Sequence, residues 1–136
     1  MKRPIRASEM PWTVWYPGTD RELRGIPLCD HGGRAKIGVG LLELLPGCST
    51  RPAHYHSHEE EHLFVLSGSA SLRLGDARFA LTAGSYVCFP AGQAVLHHLE
   101  NDGPEPFRYL MIGERNEADR VVHEPTPRYE PGSSSR

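Results

Sequence analysis

At 136 residues the chain has the length of one domain, with room for a hydrophobic core that needs no disulfide staples. Hydrophobic residues are 38% and charged residues 24% of it, and the net charge of −2 leaves no basic footprint for nucleic acid or an anionic membrane surface. The cysteines, Cys29, Cys48 and Cys88, are three in number without a C-x-x-C pair, which excludes a zinc ribbon or a thioredoxin-like redox pair and suits small buried hydrophobes in a reducing compartment.

The N-terminus is basic (Met1-Lys2-Arg3-Pro4), but no apolar run follows as a secretory signal requires, and no stretch approaches the ~18 apolar residues of a membrane span. A cytoplasmic location is expected. Residues 1–33 carry an aromatic patch (Trp12, Trp15, Tyr16) with little periodicity, which reads as an arm or extra edge strand. The patch is a candidate cover for a neighbouring subunit, and nothing in the sequence ties it to a substrate. From Arg34 to Leu45 apolar residues fall on alternate positions (Ile37, Val39, Leu41) up to the turn signal Pro46-Gly47. Further strands are expected from about Thr50 to His56 and from Glu61 to Leu66, the latter closed by Ser67-Gly68.

The clearest hairpin follows. Ala70, Leu72 and Leu74 alternate with polar residues, Gly75-Asp76 supplies a two-residue turn, and Arg78 to Leu81 run back. Strands are also expected at Tyr86 to Phe89, Leu96 to Leu99 and Phe107 to Ile112, separated by Pro90-Ala91-Gly92 and Asn101-Asp102-Gly103. Some eight short strands in about eighty residues suit an all-β antiparallel barrel or jelly roll. Residues 114–136 form an extension, and from about Glu124 it lacks the apolar residues to fold, so a flexible tail is expected. Tyr55, Phe64, Tyr86 and Tyr109 are read as core packing.

Six of the eight histidines fall between His54 and His62 or at His97-His98. On a strand, the spacing of His54 and His56 puts both imidazoles on one face, close enough to share one ion. Glu61 opens the next strand and can return a carboxylate to the same point. Imidazole plus carboxylate suits a divalent ion such as Fe, Mn, Ni, Co or Zn. His31 and His123 are given no role, and His58, His62 and His98 are read as solvated neighbours or groups that support the ligands. Glu59 and Glu60 read as a solvated loop.

At these residues the sequence resembles the cupin superfamily, whose first motif is G-x5-H-x-H-x(3,4)-E-x6-G. Gly47, His54-Tyr55-His56, Glu61 and Gly68 follow it, except that six residues separate Gly47 from His54. The second motif, G-x5-P-x-G-x2-H-x3-N, is matched by Gly84, Pro90, Gly92, His97 and Asn101, with four residues between Gly92 and His97. His97 rather than His98 keeps the spacing to Asn101. The resemblance runs from about Val39 to Gly113. It implies a single cupin barrel at residues 34–113 and one divalent metal ion per chain on His54, His56, Glu61 and His97. Four protein ligands leave positions for water, dioxygen or a chelating substrate, the arrangement of a catalytic site. The expected function is a metal-dependent enzyme of dioxygenase, isomerase or lyase type, acting on a small oxygen-rich molecule (carboxylate, diketone or sugar-like). The alternative is a non-catalytic barrel that binds metal or a small ligand. No catalytic base and no substrate can be named from the sequence. A homodimer is expected, as in many single-domain cupins.

Overall fold

The computed structural model describes residues 1–33 and 36–125. Strands β1 (Thr13–Trp15) and β2 (Leu23–Pro27) form an antiparallel hairpin in the N-terminal segment. They are followed by β3 (Ile37–Leu44), β4 (His54–His56), β5 (Glu61–Ser67), β6 (Ala70–Leu74), β7 (Ala77–Leu81), β8 (Tyr86–Phe89), β9 (His97–Glu100), β10 (Phe107–Glu114) and β11 (Val121–His123). The larger sheet has the order β1-β2-β3-β10-β5-β8 and the smaller β11-β4-β9-β6-β7, every pair antiparallel. This is a jelly-roll barrel whose two sheets face each other without complete closure. The eight strands β3 to β10 answer the expected eight, while β11 had no counterpart in the sequence reading. The tail expected to be flexible falls almost wholly on 126–136, outside the described residues. Glu124, where it was to begin, donates its backbone N–H to the Ala53 carbonyl at 2.8 Å.

Alternation decides what lies inside. Leu63 and Val65 of β5, Phe107 and Tyr109 of β10 and Leu44 of β3 meet Ala70, Leu72, Leu81 and Leu99 of the opposing sheet in one core. At ~25 cal/mol per Å² of apolar surface, each fully buried Leu or Phe contributes about 2 kcal/mol. The same alternation turns Phe64 outward beside Tyr86, its register partner on β8, leaving these two 42% and 59% exposed. Core packing holds for Tyr109, which is 1% exposed, and fails for Phe64 and Tyr86.

The motif residues that bind nothing hold the barrel ends together. Asn101 is buried, and its side-chain N–H groups donate to the Leu44 and Glu105 carbonyls, each at 2.8 Å, while its Oδ1 accepts from Gly103 N. Its own carbonyl accepts from Gly47 N at 2.8 Å, so the first residue of one motif is tied to the last of the other. Gly68 sits at φ +77°, where an added Cβ would run into the Pro106 carbonyl, and only glycine fits.

Candidate metal centre

The short strand β4 carries His54 and His56 between β9 and β11, and its register places His54 opposite His97 on one side and His123 on the other. Glu61 opens β5 on the facing sheet. One donor atom from each of His54, His56 and Glu61 lies within 4.8 Å of the others. Ligands about 2.1 Å from a first-row ion stand roughly 3–4 Å apart, so a small inward adjustment closes this set. The His97 ring centroid is 4.8 Å from that of His54. His97 therefore lies beside His54 at the same end of the barrel, but it stands outside the group of three whose donor atoms come within 4.8 Å of one another.

Each imidazole is oriented by its surroundings. The His54 and His97 Nδ1 atoms face the carbonyls of Pro52 and Val95 at 3.4 Å, which leaves Nε2 of each as the lone-pair donor. His97 also stacks on Phe89, with centroids 3.8 Å apart and planes 10° from parallel. Burial, which disfavours the charged imidazole, lowers the pKa of His54 and takes that of His97 down to about 4. His56 goes the other way, to about 9, because its Nε2 meets Glu61 Oε1 at 3.0 Å; burial opposes this, and Asp119 adds to it. In the metal-free fold a proton thus sits between His56 and Glu61.

The donor set fits a divalent ion: three imidazoles and a carboxylate, two of the imidazoles held neutral. His56 supplies a further feature, donating from Nδ1 to Asp119 Oδ2 at 2.7 Å. Carboxylates in this position fix the tautomer and ring plane of metal-binding histidines. Asp119 is fixed in turn, its Oδ1 accepting from the backbone N–H of His58 and Glu59 at 2.9 and 3.0 Å. Nothing at sequence level singled out Asp119, which lies 63 residues from His56.

Two cavities flank this cluster. One, of about 310 Å³, is lined by Gly25, Gly40, Met111, Gly113, Glu59 and Glu61. Glycines at these inward positions vacate the space that side chains fill deeper in the barrel. The second, of about 650 Å³, is lined by Trp15, Tyr16, Arg21, His54, His56 and His123. Trp15 borders both. Its indole lies so close over Gly25 that an added Cβ there would come within 2.7 Å of it.

Several sequence expectations change here. Trp15 and Tyr16 line the site rather than standing apart from it, and His123, given no role, lies with its ring 5.9 Å from His54. Glu59 is half-buried and borders a cavity, not a solvated loop. His98 is not solvated: it is 5% exposed, bonded through Nε2 to Glu100 at 2.9 Å, and its Nδ1 has no partner. Following His97 on the strand, it points to the other face of the sheet. His62 also faces out, hydrogen-bonded to Tyr86 and Glu60, and His58 is exposed. The three cysteines are free and half-buried.

The sequence profile of the cupin domain matches residues 40–113, more than half of the chain. The chain belongs to the cupin family. It is 35% identical over 83 residues to mannose-1-phosphate guanylyltransferase 2 of Escherichia coli O157:H7, covering 61% of this chain and 16% of that protein. It is 30% identical over 93 residues to the tetracenomycin polyketide synthase protein TcmJ of Streptomyces glaucescens, covering 65% of this chain and 60% of the relative. The chain thus spans less than two thirds of either relative. Among solved structures, a protein of Acidithiobacillus ferrooxidans provisionally assigned as a sugar phosphate isomerase superposes with a TM-score of 0.75 at 30% identity, covering 85% of this chain and 73% of the other. Among the described residues no helix is long and apolar enough to cross a membrane.

Proposed function

We propose that this chain is a metal-dependent cupin enzyme acting on a small oxygen-rich molecule, with one divalent ion held by His54, His56, Glu61 and His97. The observation that carries this reading is the convergence of His54, His56 and Glu61 donor atoms within 4.8 Å, opposite His97 and beside two cavities. When bound, the ion supplies Lewis-acid polarisation of chelating oxygens or, as iron, a site for dioxygen.

The chain's own residues do the rest. Burial keeps His54 and His97 unprotonated at neutral pH, so their lone pairs are free for an ion. Asp119 fixes the plane of His56. Trp15 and Met111 line the cavity beside Glu61. Glu59 adds a carboxylate outside the quartet to the lining of that cavity, its Oε1 accepting from the backbone N–H of Asn116 at 2.8 Å. The relatives named for sugar phosphates and for a polyketide synthase support an oxygen-rich substrate class, since both compound types offer adjacent oxygens to an ion.

The test is to load the protein anaerobically with Fe, Mn, Ni or Zn and present chelating acids, diketones and sugar phosphates, with and without dioxygen. Metal-dependent consumption that disappears in Glu61→Ala and His97→Ala is expected. Tight binding without turnover under every metal would leave the non-catalytic barrel as the reading.

A further inference from the structure

We propose that Arg21 and His123 form an anion-binding subsite on the wall of the 650 Å³ cavity, so that the molecule taken at the metal centre carries a carboxylate or phosphate at the end remote from its chelating oxygens. This rests on the metal-centre reading and extends it to the substrate's charge.

The first observation is how charge divides between the cavities. The one beside Glu61 is lined by three carboxylates, Glu59, Glu61 and Glu114, against one arginine, Arg115. The one beside His54 has no acidic residue in its lining among the described residues, only the two arginines Arg21 and Arg51 beside the histidines. Arg51 is already neutralised, its Nη2 lying 2.6 Å from Asp20. Arg21 makes no such close pair: no carboxylate lies within 4.0 Å of it among the described residues, as is also true of Arg6 and Arg120 but not of Arg24, Arg73, Arg78, Arg108 and Arg115, and the Asp20 charge acts on it only from farther away.

Arg21 is nevertheless held in place. Its Nε donates to the Arg51 carbonyl at 2.9 Å, and its guanidinium lies over the Tyr16 ring, 4.2 Å from the centroid. Both terminal amino groups remain without a protein acceptor among the described residues. A planar fork fixed by a carbonyl and an aromatic face, with its outer donors free, is preorganised for a two-oxygen anion. The backbone supports that placement. Tyr16 adopts φ +50°, the one positive value at a non-glycine position among the described residues, and its carbonyl is tied by Thr19 Oγ1 at 2.7 Å. Such strain at a tyrosine persists where surroundings fix it, and here it sets the ring beneath Arg21. His123 lines the same cavity, its ring 5.9 Å from that of His54 and its ring nitrogens without a partner among the described residues, which leaves an N–H to offer an anion there.

Isothermal titration of the Mn-loaded full chain compares two ligand pairs sharing one α-hydroxy-acid chelating head: 3-phosphoglycerate against glycerate, and malate against lactate. The expected result is at least tenfold tighter binding of one or both of the ligands that carry the additional anionic group. The larger ratio tells phosphate from carboxylate. In Arg21→Met that ratio should fall below about twofold, with glycerate and lactate binding and metal stoichiometry unchanged. Tyr16→Leu, which frees the guanidinium, should cut the ratio at least threefold, and it serves if Arg21→Met does not fold. Metal bound normally with ratios near one, or a ratio that survives Arg21→Met, overturns the subsite. Absence of metal uptake overturns the metal-centre reading instead. In that event inorganic phosphate titrated into the metal-free chain, followed by ³¹P line broadening, decides the subsite: at least tenfold weaker binding in Arg21→Met supports it, and equal binding overturns it.

Discussion

His56 is held from both ends, by Glu61 at 3.0 Å and Asp119 at 2.7 Å, and this pair of contacts makes two predictions at the scale of single residues. Asp119→Asn keeps the shape and loses the charge that orients the ring and raises its basicity. Metal affinity should fall by about 10–100-fold while stoichiometry at saturating metal stays near one, as competition with a chromophoric chelator would measure. An unchanged affinity would remove Asp119 from the site. The second concerns pH. In the metal-free fold His56 has its pKa raised from 6.5 to about 9, so its stabilising contribution is complete below pH 6.5 and is lost as pH rises through about 9. His97 has its pKa lowered from 6.5 to about 4, so its contribution is present above pH 6.5 and is lost as pH falls through about 4. The melting temperature of the metal-free chain should therefore peak near neutrality and decline toward pH 9 and toward pH 4. Bound metal displaces the His56 proton, so the loaded chain should lack the decline between pH 7 and 9. Identical alkaline limbs for the two forms would count against His56 as a ligand.

At the scale of strands, the site depends on β4, three residues long and ordered by its neighbours: β9 on one side, β11 on the other, and the Gly92 N–H donated to the His56 carbonyl at 2.9 Å. The end of β9 is secured by Asn101. Asn101→Ala leaves the Leu44 and Glu105 carbonyls without their donor in a buried position, and should cost about 2–4 kcal/mol in denaturant unfolding. A cost under 0.5 kcal/mol would mean that this bracket is dispensable. The same elements explain what the sequence could tell. His54, His56 and Glu61 were legible because alternation and a short turn determine how neighbouring residues share a face, and His97 because the cupin spacing carries it. Asp119, His123 and β11 were not legible: their place depends on pairing with β4 across more than sixty residues, and the segment 121–123 has no length or alternation to announce a strand. Trp15 and Tyr16 were seen as an aromatic patch, but only the β1–β2 hairpin and the absence of a side chain at Gly25 bring Trp15 over the barrel mouth. Phe64 and Tyr86 were misplaced because hydrophobicity alone does not say which face of a strand is inward.

For the whole molecule, the division of labour between the sheets is the organising fact. The larger supplies Glu61 and the glycine-lined cavity, the smaller supplies the three histidines, and the core below them fixes their separation. The larger sheet ends in β1, where Val14, Trp15 and the preceding Trp12 are each at least 37% exposed, an edge that a twofold partner would cover. Light scattering at micromolar concentration should give a dimer; a strict monomer would contradict this. The central claim is that His54, His56, Glu61 and His97 hold one ion. Its most direct test is elemental analysis of protein purified without chelator or affinity metal, run beside His56→Ala and Glu61→Ala. The account predicts close to one equivalent of a first-row divalent metal per chain in the parent protein and most of it gone from both variants. Full metal retained in both, or none in the parent after every first-row ion has been offered, would contradict it.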